Sequence, residues 1–348
     1  MTSDPVARYL ATHGARLGRR ERLRVMTSGE VLDTALRAYR QLGWSYLRLT
    51  VVPAVFCLGG IAFVLDYVLP SFAVTQHAGD IGAQVAEAAT SGALALFLGG
   101  PLFLLGMSYT CAVVVHLTAD FMMGNVPRPE VAAQAARNSF GTLVSVAFRE
   151  LLLSCSGIIV SGLLMGLGAL LSQATTSDEA ALPGLLVLLG SFGLAGGCGI
   201  FLYVMAMHAL APAVAILEGV SGKAAGKRST YLLKAQANKP GGAGNLLSAY
   251  FYIFFAGAIE WMSLAGISAA LQLDRHVAAL FSGMPLQGLI SSAFGLLAPF
   301  MVVWTLLPVW AACVTIVYYE RRIRLEGFDI EVLAAEIDQN SRTSRFDV

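Results

Sequence analysis

The strongest constraint in this sequence is where its cations are absent. Six long stretches carry almost no charge, and 22 of the 23 Lys and Arg residues lie on alternate sides of them. The stretches are residues 47–69, 93–121, 151–171, 185–217, 246–271 and 289–319. A helix rises about 1.5 Å per residue, so about 20 apolar residues cross the ~30 Å hydrocarbon layer. Lipid offers no partner to an open backbone, so such segments must be helical. The expected fold class is all-α, a polytopic membrane protein with six transmembrane helices.

The cations give an orientation. Nine lie in the arm through Arg48, and the following connections carry none, three, none, five and one, with five in the tail. Cytoplasmic loops hold the excess of Lys and Arg, which places both termini in the cytoplasm. The first 45 residues lack the apolar core of a cleaved signal peptide, so the arm is expected to stay attached. The chain divides into a basic arm (1–28), a membrane domain (29–319) and a C-terminal helix and tail (320–348). One ambiguity lies in residues 277–319, which are uncharged and long enough for two short spans. A second crossing would put Arg321, Arg322 and Arg324 outside. One span preceded by an apolar surface segment at 277–284 is therefore expected.

Composition agrees with that solvent. The chain is 56% hydrophobic and 13% charged, against about 25% charged in a soluble domain. A net charge of +1 argues against a nucleic-acid footprint, which needs a concentrated basic face. Cys57, Cys111, Cys155, Cys198 and Cys313 stand alone in apolar stretches, without metal-ligand spacing. They are read as buried thiols. No metal or cofactor is expected.

Three segments look alike. Residues 30–39 and 130–139 match at Glu, Val, Ala and Arg with an offset of 100, and Ala225-Gly226-Lys227 echoes Ala35-Leu36-Arg37. Each precedes a pair of spans, giving a threefold plan of surface helix, outward span and return span. Leu32, Ala35, Leu36 and Tyr39 share a helical face, while Arg37 and Arg40 fall on another. Such cytoplasmic amphipathic helices can lie at the headgroup boundary or pack on the span ends. In the tail, Tyr318-Tyr319-Glu320-Arg321-Arg322-Ile323-Arg324 reads as an aromatic and basic interface anchor. Ile330, Val332, Leu333, Ala334 and Ile337 then form an apolar stripe.

Three motifs carry a family resemblance. They are Leu32-Asp33-Thr34-Ala35-Leu36-Arg37-Ala38-Tyr39, then Pro212-Ala213-Val214-Ala215-Ile216-Leu217-Glu218-Gly219 followed by Ala224-Ala225-Gly226-Lys227-Arg228-Ser229, and Tyr318 through Asp329. Over residues 28–338 the chain resembles the membrane domain of membrane-anchored glycerophosphodiester phosphodiesterases and its stand-alone bacterial relatives. In the two-part enzymes hydrolysis belongs to a separate barrel of roughly 250 residues. This chain has no room for it, so the resemblance does not bring that activity. It implies a protein of the bacterial cytoplasmic (inner) membrane.

Few polar residues enter the spans. Glu260 lies about 21 Å along the fifth. A carboxyl there is either a proton, cation or polar-ligand site or a neutral group bonded to a neighbouring helix. His208 lies about 15 Å from the cytoplasmic end of the fourth span and can approach Glu260 as a relay, or serve as a structural histidine. His116 and Asp120 face each other at i, i+4, as half of a metal site or as a local pair. Arg149-Glu150 reads as an interface pair. Gly162, Gly166 and Gly168 on the third span, and Gly190, Gly193, Gly196, Gly197 and Gly199 on the fourth, suit close helix approach. Pro101, Pro212, Pro299 and Pro308 are expected to kink the second, fourth and sixth spans.

The reading is a non-enzymatic scaffold or regulator of a membrane or envelope process, with the lipid bilayer and a membrane or cytoplasmic protein as partners. The alternative is a transporter or lipid-handling protein built on Glu260 and His208. Dispersed polar residues disfavour an intramembrane enzyme.

Overall fold

The computed structural model describes residues 23–63, 98–174, 181–235, 244–281 and 294–334. These residues are mostly helical, joined by short turns, and contain no strand. The helices are α1 (Ser28–Phe63), α2 (Gly100–Met123), α3 (Pro129–Ala174), α4 (Ala181–His208), α5 (Ala211–Leu217), α6 (Gly222–Lys234), α7 (Gly244–Ala270), α8 (Leu273–Leu280) and α9 (Leu297–Glu326). Six of the described helices are long and apolar enough to cross a membrane. The all-α, six-span class stands.

The spans are not separate from the first two amphipathic segments. The first segment and first span form the single 36-residue helix α1, and the second segment and third span form the 46-residue helix α3. At 1.5 Å per residue these reach about 54 and 69 Å, well past a ~30 Å hydrocarbon layer. A helix that crosses the bilayer without a break cannot also lie flat on it. These segments therefore project from the membrane, contrary to the flat-lying option. Only the third, α6, is a helix of its own.

Burial follows the same division. One packed core gathers Val31, Ala35, Ala38 and Tyr46 of α1, 111–122 of α2, Ala132, Ala136, Leu143 and Val146 of α3, α5, the inner face of α6, and 309–323 of α9. Outward from it, α1, α3, α4 and α7 present exposed Val51, Val55, Leu163, Leu170, Leu188, Phe192, Phe254 and Ile267. Apolar side chains at that density suit lipid. The protein is thus a packed bundle at the cation-rich end, continuous with a looser apolar half.

The centre of the bundle is the C-terminal half of α9. From Pro308 to Arg321 only Trp310 escapes full burial. Tyr318, Tyr319, Glu320 and Arg321 are all buried, so they are not interface anchors. The sixth charge-free run is therefore about half membrane span and half a core helix jacketed by protein. A helix apolar all round fits either setting. Residue 319, expected to end the membrane domain, lies within this unbroken helix.

Other details differ from expectation. The buried stripe of α1 is Val31, Ala35 and Ala38, whereas Leu36 is exposed. The buried pair on α3 is Ala132 and Ala136, while Val131 is exposed. Buried positions thus correspond at an offset of 101, so the match at 100 does not align equivalent faces. Pro101, Pro212 and Pro299 sit in the first turns of α2, α5 and α9, where a missing N–H is harmless. Pro308 and Pro53 are the prolines inside described helices. Cys198 is exposed, and the other four thiols are buried. The segment expected at 277–284 overlaps α8, and residues 282–284 lie outside the described residues, as do Ile337 and the tail beyond it. Of the tail stripe, Val332 packs on the core and Ile330 is exposed.

Glycine sets the tightest contacts. Gly157 and Gly197 meet back to back, and a Cβ on either would lie 2.8 Å from the other's backbone. Gly168, Gly190 and Gly193 also face close neighbours, but Gly162, Gly166, Gly196 and Gly199 have none. Half of the glycines expected at the interface therefore point away from it, and Gly157 joins it.

Candidate functional site

Glu260 is half-buried on α7. Thr305 of α9 donates its hydroxyl to the carboxylate, at 3.0 Å from each oxygen. The same hydroxyl lies 2.8 Å from Met301 O. One proton cannot serve both, so the carboxylate has room for another donor. The Tyr39 phenol of α1 is within electrostatic reach. One residue from Thr305, Trp304 donates Nε1–H to Leu47 O at 2.9 Å. Nearby, Tyr46 and Thr118 share a hydroxyl hydrogen bond of 2.9 Å. Glu260 therefore sits level with the start of the first span. Its place is nearer the cation-rich end than a count from residue 246 suggests.

His208 is elsewhere. It closes α4 against α6, where Gly226 packs on both its ring and the Arg149 guanidinium. Helices α4 and α7 have no packed interface. The structure thus separates His208 from Glu260 and gives it a cation as neighbour instead of a carboxylate. Its Nδ1 is buried without a hydrogen-bond partner among the described residues.

Arg149 and Glu150 also part company. Arg149 Nη1 donates to Gly222 O at 3.3 Å, while Glu150 turns inward toward Cys111 and Tyr250. Successive helical residues point in different directions, so the two do not form an isolated surface pair.

His116 and Asp120 remain neighbours on α2. Asp120 Oδ1 accepts from Asn125 Nδ2 at 3.5 Å, and Asp120 O accepts from Asn125 N at 2.9 Å. Gly124 at φ 71° completes this helix end. Asp120 thus helps close a helix. No cluster of three or more His, Cys, Asp or Glu gathers among the described residues.

The most developed polar site is one that sequence reading did not assemble. Arg228 of α6 binds Glu326 of α9 with both guanidinium tips, at 2.6 and 2.8 Å. Its Nε reaches Glu218 at 3.1 Å. Tyr318 donates to the same Glu218 at 3.0 Å. Arg322 donates to Glu326 at 3.1 Å and stacks over Phe328 at 4.2 Å. The Glu326 carboxylate holds Arg228 protonated above its ordinary range. A two-pronged guanidinium–carboxylate pair fixes direction as well as distance. Beneath this network Glu320 is held between Arg321 and Arg324, and Arg324 donates to Met26 O at 3.4 Å. The network therefore ties α6 to α9, and its buried neighbour ties α9 to the start of α1. Its signal was present in the sequence. Glu218 and Arg228 lie in one resembling motif, and Tyr318, Arg322 and Glu326 in another.

A recess of about 60 Å³ lies beside it, lined by Arg24, Met26, Glu30, Asp33, Thr34, Arg37 and Phe121. That is room for a few waters. Its charges are matched internally, Arg24 with Glu30 at 2.7 Å and Arg37 with Asp33 at 3.1 Å.

No protein-family model, curated protein or solved structure matches the chain.

Proposed function

We propose that this chain is a non-enzymatic scaffold or regulator of a membrane or envelope process, with the packed bundle at its cation-rich end as the working surface. The supporting observation is the cross-helix network of Glu218, Arg228, Tyr318, Arg322 and Glu326. It gives the end of the bundle a fixed shape, and a fixed charged surface suits specific protein contact. The cation bias supports a cytoplasmic position for this end and for both termini. The motifs support kinship with the stand-alone relatives of the phosphodiesterase membrane domain, in a bacterial inner membrane.

The sequence supplies a clean test. All lysines lie between 223 and 239, and Lys223, Lys227 and Lys234 are exposed on α6. A membrane-impermeant amine-reactive cross-linker applied to inside-out vesicles should capture a reproducible partner or a second copy through these lysines. Intact cells should give none. Absence of a defined product from the vesicles would remove the scaffold reading, and capture from intact cells would reverse the orientation.

The Glu260–Thr305 pair favours a second reading, a transport or lipid-handling site. An under-satisfied carboxylate within a span can receive a polar or cationic group. Dicyclohexylcarbodiimide, which partitions into lipid, should modify Glu260 in membranes, and Glu260→Gln should lose that labelled peptide. A Glu260 that stays unmodified in the folded protein would leave this second reading without its site.

A further inference from the structure

The outward face of α1 changes character in one direction. Asp33 and Arg37 come first, paired with each other. Arg40, Trp44 and Arg48 follow at successive turns, all exposed. Val51, Val52 and Val55 continue the face, also exposed. Water-facing charge thus gives way to lipid-facing valine over about five turns, and the change is centred on Trp44, 79% exposed, between Arg40 and Arg48. Tryptophan concentrates at the headgroup level, where an apolar ring and one N–H donor both find partners.

We propose that Arg40, Trp44 and Arg48 form a binding site for the phosphate of anionic phospholipids. Spacing of four places the three side chains on one face. Arginine offers a planar fork matched to phosphate, on a stem long enough to lie along the helix. Among the described residues no ion pair engages Arg40 or Arg48, whereas Arg24 and Arg37 have carboxylate partners. The adjoining bare valine surface selects lipid as the source of the phosphate. A soluble anion or an acidic protein would have no use for it, while an acyl chain lies along it. The site stands independently of the scaffold reading, because it needs no protein partner.

The test uses the purified full chain in phosphatidylcholine bilayers doped with a brominated lipid, which quenches tryptophan on contact. The signal of Trp44 is the part lost in Trp44→Phe. Brominated phosphatidylglycerol should associate about fivefold or more better than brominated phosphatidylcholine. Arg40→Gln with Arg48→Gln should bring that ratio close to one. Arg40→Lys with Arg48→Lys, which keeps the charge, should retain a preference. Each single Gln variant should lose part of it, which guards against misfolding of the double variant. A wild-type ratio of one, or a ratio unchanged in the double Gln variant, would overturn the site. Displacement by an equal concentration of soluble glycerol phosphate would assign it to free phosphate and likewise overturn the lipid proposal.

Discussion

Arg321→Ala should cost about 3 kcal/mol, the lower end for breaking a buried ion pair, and leave less folded protein in detergent. Arg321 and Glu320 are 0% and 1% exposed at the centre of the bundle. Removing the guanidinium takes away one of the two cations that hold the buried Glu320 carboxylate and leaves Arg324 to hold it alone. Breaking one side of such a pair is far more damaging than replacing both sides. Arg321→Met together with Glu320→Gln should therefore recover much of the lost stability. Arg322→Ala gives the contrast, since its side chain is 21% exposed and a network near solvent contributes about 1 kcal/mol. Thermal unfolding followed by size-exclusion of the detergent-solubilised protein would separate the three. An Arg321→Ala protein melting within a degree or two of wild type would contradict the buried position of this charge.

That arginine also marks the limit of what the sequence disclosed. The six helices were legible because charge is expensive in hydrocarbon and cannot be scattered through a span. How far each helix stays in lipid was not legible. A charge-free run reads the same whether its jacket is acyl chain or protein, and the C-terminal half of α9 has a protein jacket. The amphipathic segments are legible, but not their continuity with the spans, because between 30 and 52 an amphipathic pattern that turns apolar looks the same whether the helix breaks or runs on. The single glycine there, Gly43, lies beside the Tyr39 ring within the helix. Glu218 and Arg228 fall within one motif of the sequence. Their pairing with Glu326, about a hundred residues on, depends on how α6 crosses α9, and helical periodicity carries no information about that crossing. A polar group inside a span is costly enough to mark Glu260 and His208, yet depth counted along two helices does not say whether those helices touch.

Gly197→Leu should separate α3 from α4, whereas Gly196→Leu on the adjacent residue should be well tolerated. The two substitutions add the same side chain to the same helix in the same apolar setting, so propensity and hydropathy cancel between them. Only the direction differs. A Cβ on Gly197 would lie 2.8 Å from Gly157 C and from Ile158 N, which are backbone atoms and cannot rotate aside. A Cβ on Gly196 meets nothing within 4 Å. Without a hydrophobic drive between helices in lipid, close backbone packing is the main attraction holding a hairpin together. Overpacking a tight contact costs about 1–3 kcal/mol, and Gly197→Leu should reach the upper end because the branch would have to enter the opposing backbone. A disulfide between cysteines placed at Ser161 and Gly193, where Ser161 Oγ lies 2.7 Å from a Cβ built on Gly193, reports on the contact directly. It should form readily in the wild-type and Gly196→Leu backgrounds and fall severalfold in Gly197→Leu. Equal cross-linking in all three would mean that α3 and α4 do not meet at Gly157 and Gly197.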